Sequence, residues 1–166
     1  MYQLKRLEHR SLAAAIEKAE QYRALNEPEE AESICRDILD ADPAHQAAIR
    51  ILGLALTDEF LKTRTKNFDE AVRTFSRLTS EYERVYYTGI AWERAGKAHL
   101  ELGEHHNALS CFEHALEQYE EAERIGPKDV PDPVLRWNRC VRVLKSHPEL
   151  LRASQAPHSK TPLLGD

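Results

Sequence analysis

The feature that most constrains this chain is a spaced pattern of small and bulky residues that recurs along it. In the first copy Ala19 is followed by Tyr22, Ala31 and Pro43. A fainter middle copy consists of Leu52, Gly53, Leu56, Ala71 and Phe75. The clearest copy consists of Trp92, Ala95, Gly96, His99, Ala108 and Phe112. Ala19 and Gly53 lie 34 positions apart, which is a typical length for a repeat built of two helices and a turn.

Apolar residues spaced three and four apart predict seven main helices. We place them near residues 7–25, 28–41, 44–61, 68–78, 86–102, 108–124 and 132–146. Pro28 suits the first turn of a helix, Asn67 is a candidate N-cap, and Gly103 is a candidate left-handed stop. The middle unit is about six residues longer than the first, which we assign to a longer helix and a basic turn at residues 62–66.

Paired helices must bury their apolar faces against each other, because isolated helices of this length are marginal in water. Small residues are needed where the two backbones approach closely, and bulky residues fill the gaps between them. We therefore expect one buried cluster that contains Trp92, Ala95, Gly96, Ala108 and Phe112.

On these residues the chain resembles the tetratricopeptide repeat family over residues 12–124, with a partial fourth unit from Trp137. The resemblance implies an all-α, right-handed α-solenoid of about three helix pairs with a C-terminal capping helix. We expect the repeat domain to span residues 1–147, and the polar, proline-containing composition of the remainder predicts a C-terminal tail, residues 148–166. The resemblance also implies a concave face, lined by the first helix of each pair, that binds a protein or peptide partner in the form of an extended peptide or a helix.

Residues beside the packing stripe of the first helices are candidates for this concave face. They are Glu20, Arg23, Arg50, Leu54, Asp58, Glu93, Lys97, Leu100 and Glu101. Their mixed charges argue against a groove for one strongly charged peptide. The family's clamp for chaperone C-terminal carboxylates needs Lys and Asn at first-unit positions that Ile16 and Glu20 occupy, so we do not expect that clamp.

The predicted seventh helix has two features of interest. Trp137, Val141 and Leu144 are expected to cover the last helix pair as a cap. A candidate basic stripe runs along the same helix and consists of Arg136, Arg139, Arg142 and Lys145. This stripe either pairs with the glutamates of the preceding helix, Glu117, Glu120, Glu121 and Glu123, or meets an acidic partner.

Composition limits the remaining functional classes. A net charge of −5 argues against nucleic-acid binding, and no apolar run approaches the length of a membrane span. The segment MYQLKRLEHR has no apolar stretch of the secretory kind, so we expect a cytoplasmic protein. The three cysteines, Cys35, Cys111 and Cys140, fall on inward helical faces and are expected to be buried.

The sequence gives no catalytic motif and no cofactor signature, and we expect no cofactor. His99, His105, His106, Cys111 and His114 lie close together in sequence without the spacing of a known metal motif, so we expect no metal site. The favoured interpretation is a non-enzymatic interaction module or scaffold. The alternative is a structural homo-oligomer that associates through its C-terminal helix.

Overall fold

The computed structural model describes residues 1–153 and is all-helical over that range. A single 3-10 turn, His9–Ser11, precedes nine α-helices in the described part of the chain. These helices are α1 (Leu12–Ala24), α2 (Pro28–Ala41), α3 (Gln46–Asp58), α4 (Phe60–Thr63), α5 (Phe68–Ser76), α6 (Glu81–Glu101), α7 (His105–Ile125), α8 (Asp132–Ser146) and α9 (Pro148–Ala153). The seven longer ones correspond to the seven predicted from the spacing of apolar residues.

Three helix pairs follow one another along the chain. Helix α1 packs on α2, α3 packs on α5, and α6 packs on α7, while α8 packs on α7 and α9 packs on both α7 and α8. The first helices α1, α3 and α6 also contact their counterparts in neighbouring pairs. This is a helical repeat architecture of the kind that the spaced pattern predicts.

Local chemistry explains several helix ends. Pro28 stands in the first turn of α2, where its missing N–H removes no helical hydrogen bond. Gly103 has φ +74° and comes immediately after Leu102, the C-cap residue of α6, so the predicted left-handed stop is confirmed. Asn67 occupies the predicted N-cap position of α5, but its side chain makes no capping hydrogen bond to that helix. Its side-chain amide instead donates to the Leu56 carbonyl at 2.8 Å and closes the end of α3.

The middle unit departs most from the expected helices. The long helix that we expected to continue through Leu61 ends at Asp58, and the separate short helix α4 follows. Arg64 and Thr65 then adopt left-handed backbone conformations with φ 51° and 60°. The extra residues therefore form a compact turn, and α5 is shortened to Phe68–Ser76.

Two hydrophobic clusters fill the interior, and both include residues of α6. The first joins α1 to α6, and the second joins α6 to α9. Our expectation of a single cluster is corrected, because Ala95 belongs to the first cluster whereas Ala108 and Phe112 belong to the second. Trp92 contacts both clusters. The three cysteines are buried, as predicted.

The C-terminal helices complete the second cluster. Cys140 and Val143 form the buried side of α8, with Trp137 and Leu144 packed beside them. The expected cap residue Val141 is half-buried and is replaced in that role by Val143. Helix α9 lies within the segment expected to be tail, yet its Leu150 is fully buried. The remainder of that segment, residues 154–166, lies outside the described residues.

Candidate interaction groove

The first helices of the successive pairs converge on a groove of about 320 Å³. Helices α1, α3, α6 and α8 and the loop before α8 all contribute side chains to it. Its lining consists of Arg23, Leu54, Tyr82, Glu83, Tyr86, Tyr87, Ile90, Arg94, Val130, Asp132 and Arg136. The groove therefore combines tyrosine rings, aliphatic side chains and three arginines.

One end of the groove is organised around Asp58 at the end of α3. Arg23 of α1 donates two hydrogen bonds to this carboxylate, from Nε to Oδ2 at 2.7 Å and from Nη2 to Oδ1 at 3.2 Å. Arg94 of α6 donates to the same Asp58 Oδ1 and also to the Thr57 hydroxyl at 2.6 Å. A single carboxylate thus holds two guanidinium groups and connects three first helices.

A second polar cluster lies where α6, α7 and α8 meet. Glu93 is 0% exposed, and its Oε2 accepts a hydrogen bond of 2.6 Å from the Tyr119 hydroxyl. Its Oε1 accepts from Lys97, and Arg136 Nη1 lies 3.4 Å from the same atom. Burial alone would raise the pKa of Glu93, but the hydrogen bonds from Lys97 and Tyr119 outweigh it and lower the pKa. Glu93 is therefore a buried carboxylate that anchors Arg136.

Three tyrosine side chains, from Tyr82, Tyr86 and Tyr87 of α6, line the groove beside these polar clusters. Tyr82 and Tyr86 stack with ring centroids 5.8 Å apart, and Tyr86 meets Tyr87 edge-on at 5.2 Å. Burial raises the pKa of Tyr82 to about 12, with a further contribution from the nearby Asp132. The phenols consequently stay protonated and offer both ring surface and hydroxyl groups to the groove.

The expected concave-face residues divide into three groups. Arg23 and Leu54 line the groove, with Asp58 held against Arg23. Arg50 forms an ion pair of 3.0 Å with the groove residue Glu83. The remaining expected residues lie elsewhere or are tied to other partners: Glu20 and Glu101 are exposed outside the lining, Leu100 packs on the second cluster, and Lys97 pairs with Glu93.

Glu93 is the expected concave-face residue that the structure contradicts. Because its side chain is fully buried, it cannot touch a partner, and it acts on the groove only through Arg136. The sequence pattern placed it one position from the packing stripe, but did not show that Tyr119 and Arg136 would enclose it.

Nine of the eleven groove residues were not expected at the concave face. They are Tyr82, Glu83, Tyr86, Tyr87, Ile90, Arg94, Val130, Asp132 and Arg136. The spacing of Tyr82 and Tyr86, four residues apart on a first helix, was an available signal. Arg136 was expected in the basic stripe and not in the groove, because its helix is not one of the first helices that were expected to line the concave face.

The candidate basic stripe does not hold together as one surface. Arg136 turns into the groove, while Arg139, Arg142 and Lys145 are exposed. Within residues 1–153, none of these three exposed residues has a carboxylate within 4.0 Å, and Arg136 pairs with Glu93. The expected pairing with α7 glutamates is thus not observed in this range; Glu121 pairs with Arg124 of its own helix.

The histidines of α6 and α7 have separate local roles. His99 pairs with Glu104, and His114 packs against Trp92 in a tilted arrangement with ring centroids 4.6 Å apart. Among the described residues, no three His, Cys, Asp or Glu side chains converge in a way that could hold a metal ion. In the same part of the chain, no helix has the length and apolar character needed to cross a membrane.

Comparison with known families identifies one segment of this architecture. Residues 90–123, which span most of α6 and α7, match the family model described as tetratricopeptide repeat. A search of curated proteins finds no match to the chain. The match covers the helix pair that carries the clearest copy of the spaced pattern, so this segment is similar to a tetratricopeptide repeat.

Proposed function

We propose that this protein is a non-enzymatic, cytoplasmic adaptor that binds a segment of a partner protein in the groove of its first helices. The observation that carries the proposal is the convergence of α1, α3, α6 and α8 on one groove. Repeat proteins of this architecture use such concave surfaces for binding, and the family match is to a repeat of that kind. Phenol rings beside guanidinium groups are also the side chains most often found at binding hot spots.

Site-specific photo-crosslinking in the native host tests this proposal. A photo-reactive phenylalanine analogue replaces Tyr82 in the groove, and a matched control replaces the exposed Glu113 on α7. We expect a defined crosslinked protein from position 82 and none from position 113. Crosslinking that is equal at the two sites, or confined to position 113, would contradict groove binding.

A structural homo-oligomer is the second candidate, and one feature of α8 favours it. Leu135 is 60% exposed and shares a helical face with the exposed Arg139 and Arg142. Light scattering at tens of micromolar distinguishes the two candidates. A monomer would exclude association through α8, whereas a dimer that Leu135→Ser dissociates would support it.

A further inference from the structure

The distribution of charge in the groove carries an inference about what the partner segment contains. Asp58 is shared by Arg23 and Arg94, and Glu93 is shared by Lys97 and Arg136. Four cationic side chains therefore share two carboxylates. Around these two carboxylates the positive charges therefore exceed the negative charges by two, and the other acidic residues of the groove lining are Glu83 and Asp132.

This excess charge is held partly away from water. The Arg94 side chain is only 21% exposed, and burial lowers its pKa despite the opposing charge of Asp58, with smaller contributions from repulsion by Arg23 and Arg136. At Arg94 the neighbouring positive charges are unfavourable, and an incoming anion would relieve that repulsion. At Arg136 burial is outweighed by Glu93 and Tyr86, which raise its pKa. Arg136 is 34% exposed at the side chain, so it remains accessible from the groove.

The other residues of the groove lining have a different character. Glu83 is neutralised by Arg50 at 3.0 Å, and Asp132 lies at the rim near the tyrosine rings. Leu54, Ile90 and the three tyrosines provide apolar and aromatic surface between this rim and the arginines. An anionic group at the arginine end would consequently have an apolar neighbour beside it.

We propose that the groove selects partner segments in which an Asp or Glu side chain, bound by Arg23, Arg94 and Arg136, lies next to an aromatic or aliphatic residue. This proposal rests on the proposed function and specifies the chemistry of its ligand. It also gives α8 a second role, because the helix that closes the stack supplies one of the three binding arginines. A groove of about 320 Å³ that is open along one side suits side chains of a polypeptide segment.

Selection from a random peptide display library, with the whole 166-residue protein as bait, provides the probe. Selected peptides are synthesised, and their binding site is mapped by amide chemical-shift changes in the labelled protein. We expect shifts centred on the groove residues and enrichment of Asp or Glu beside an apolar residue. Replacing that acidic residue by its amide should weaken binding roughly 10-fold or more, since charge-assisted hydrogen bonds are lost.

Matched variants on α8 test the role of Arg136. Arg136→Gln should weaken binding of the acidic peptide roughly 10-fold, whereas Arg139→Gln, on the exposed side of the same helix, should not. Asp132→Asn should strengthen binding, because it removes the negative charge at the rim. The peptide whose acidic residue is replaced by its amide should bind wild type and Arg136→Gln with the same affinity. Thermal melting of each variant checks that the fold persists. If Arg136→Gln unfolds the protein, the binding of the Asp132→Asn variant and of the amide peptide still tests whether the groove selects an acidic residue.

The two proposals fail in different ways. Peptides that bind in the groove without acidic enrichment, or that bind equally well as amides, would overturn the charge inference and leave groove binding intact. Selected peptides that shift only residues outside the groove would overturn groove binding itself.

Discussion

At the scale of single residues, Glu93 is the charged side chain that we expect to contribute most to stability. Its carboxylate joins three helices through Tyr119, Lys97 and Arg136. Glu93→Gln keeps the volume but removes the charge, and should lower the free energy of unfolding by roughly 1–3 kcal/mol at pH 7. Glu101→Gln, exposed on the same helix, is the control and should change little. Urea unfolding followed by circular dichroism measures both.

The lowered pKa of Glu93 also predicts a pH dependence. A carboxyl group whose pKa is lower in the folded state stabilises the protein above its unfolded pKa, and this contribution is lost as pH falls through the folded pKa. The stability difference between wild type and Glu93→Gln should therefore be full at pH 7 and shrink below the ordinary carboxyl range near pH 4.5. A difference that is independent of pH would show that Glu93 acts through packing alone.

Two glycines at helix crossings differ in how much room they have. A Cβ at Gly53 would lie 2.2 Å from the Phe75 ring, whereas one at Gly96 would lie 3.2 Å from the Phe112 ring. Gly53→Ala should lower stability by roughly 1–3 kcal/mol because the ring must move. Gly96→Ala should stay within about 1 kcal/mol of wild type, since higher helix propensity offsets the tighter contact. Equal effects in chemical denaturation would contradict this ranking.

At the scale of elements, α9 is the helix whose contribution is least evident from its length. Its Leu150 is 0% exposed and packs in the second cluster, although the helix spans only Pro148–Ala153. Leu150→Ala should cost roughly 2–5 kcal/mol. Leu135→Ala on the outside of α8 is the matched control and should cost less than about 0.5 kcal/mol. If Leu150→Ala and Leu135→Ala lower the melting temperature equally, α9 is not a stable part of the fold.

At the scale of the whole molecule, α6 couples the two hydrophobic clusters. Leu54, Tyr87 and Trp92 pack against both of them, so neither cluster is independent of the other. We expect a single cooperative thermal transition. In a Trp137→Phe variant, the fluorescence of Trp92 at the boundary should melt at the same temperature as the far-ultraviolet circular dichroism. Two separated transitions would show that the repeats unfold as independent units.

The sequence by itself determined the helices, their pairing and the small residues at their crossings. These follow from local rules: apolar spacing defines a helix face, proline and glycine mark helix ends, and Gly53 and Gly96 stand where bulky rings approach. Part of the groove was predicted in the same way, through Arg23 and Leu54. The break after α3 was not, because it depends on the Asn67 side chain reaching the Leu56 carbonyl from eleven residues away.

Only the tertiary structure decided which charged side chains face the groove. Arg136 and Arg139 are indistinguishable in sequence, yet one turns toward Glu93 and the other stays in water. Glu93 was expected at the concave surface and is enclosed by residues from two other helices. Apolar periodicity fixes the buried side of a helix, since burial is favourable for every apolar group. The partner of a charged side chain depends on which helices meet around it, and that is settled only when they pack.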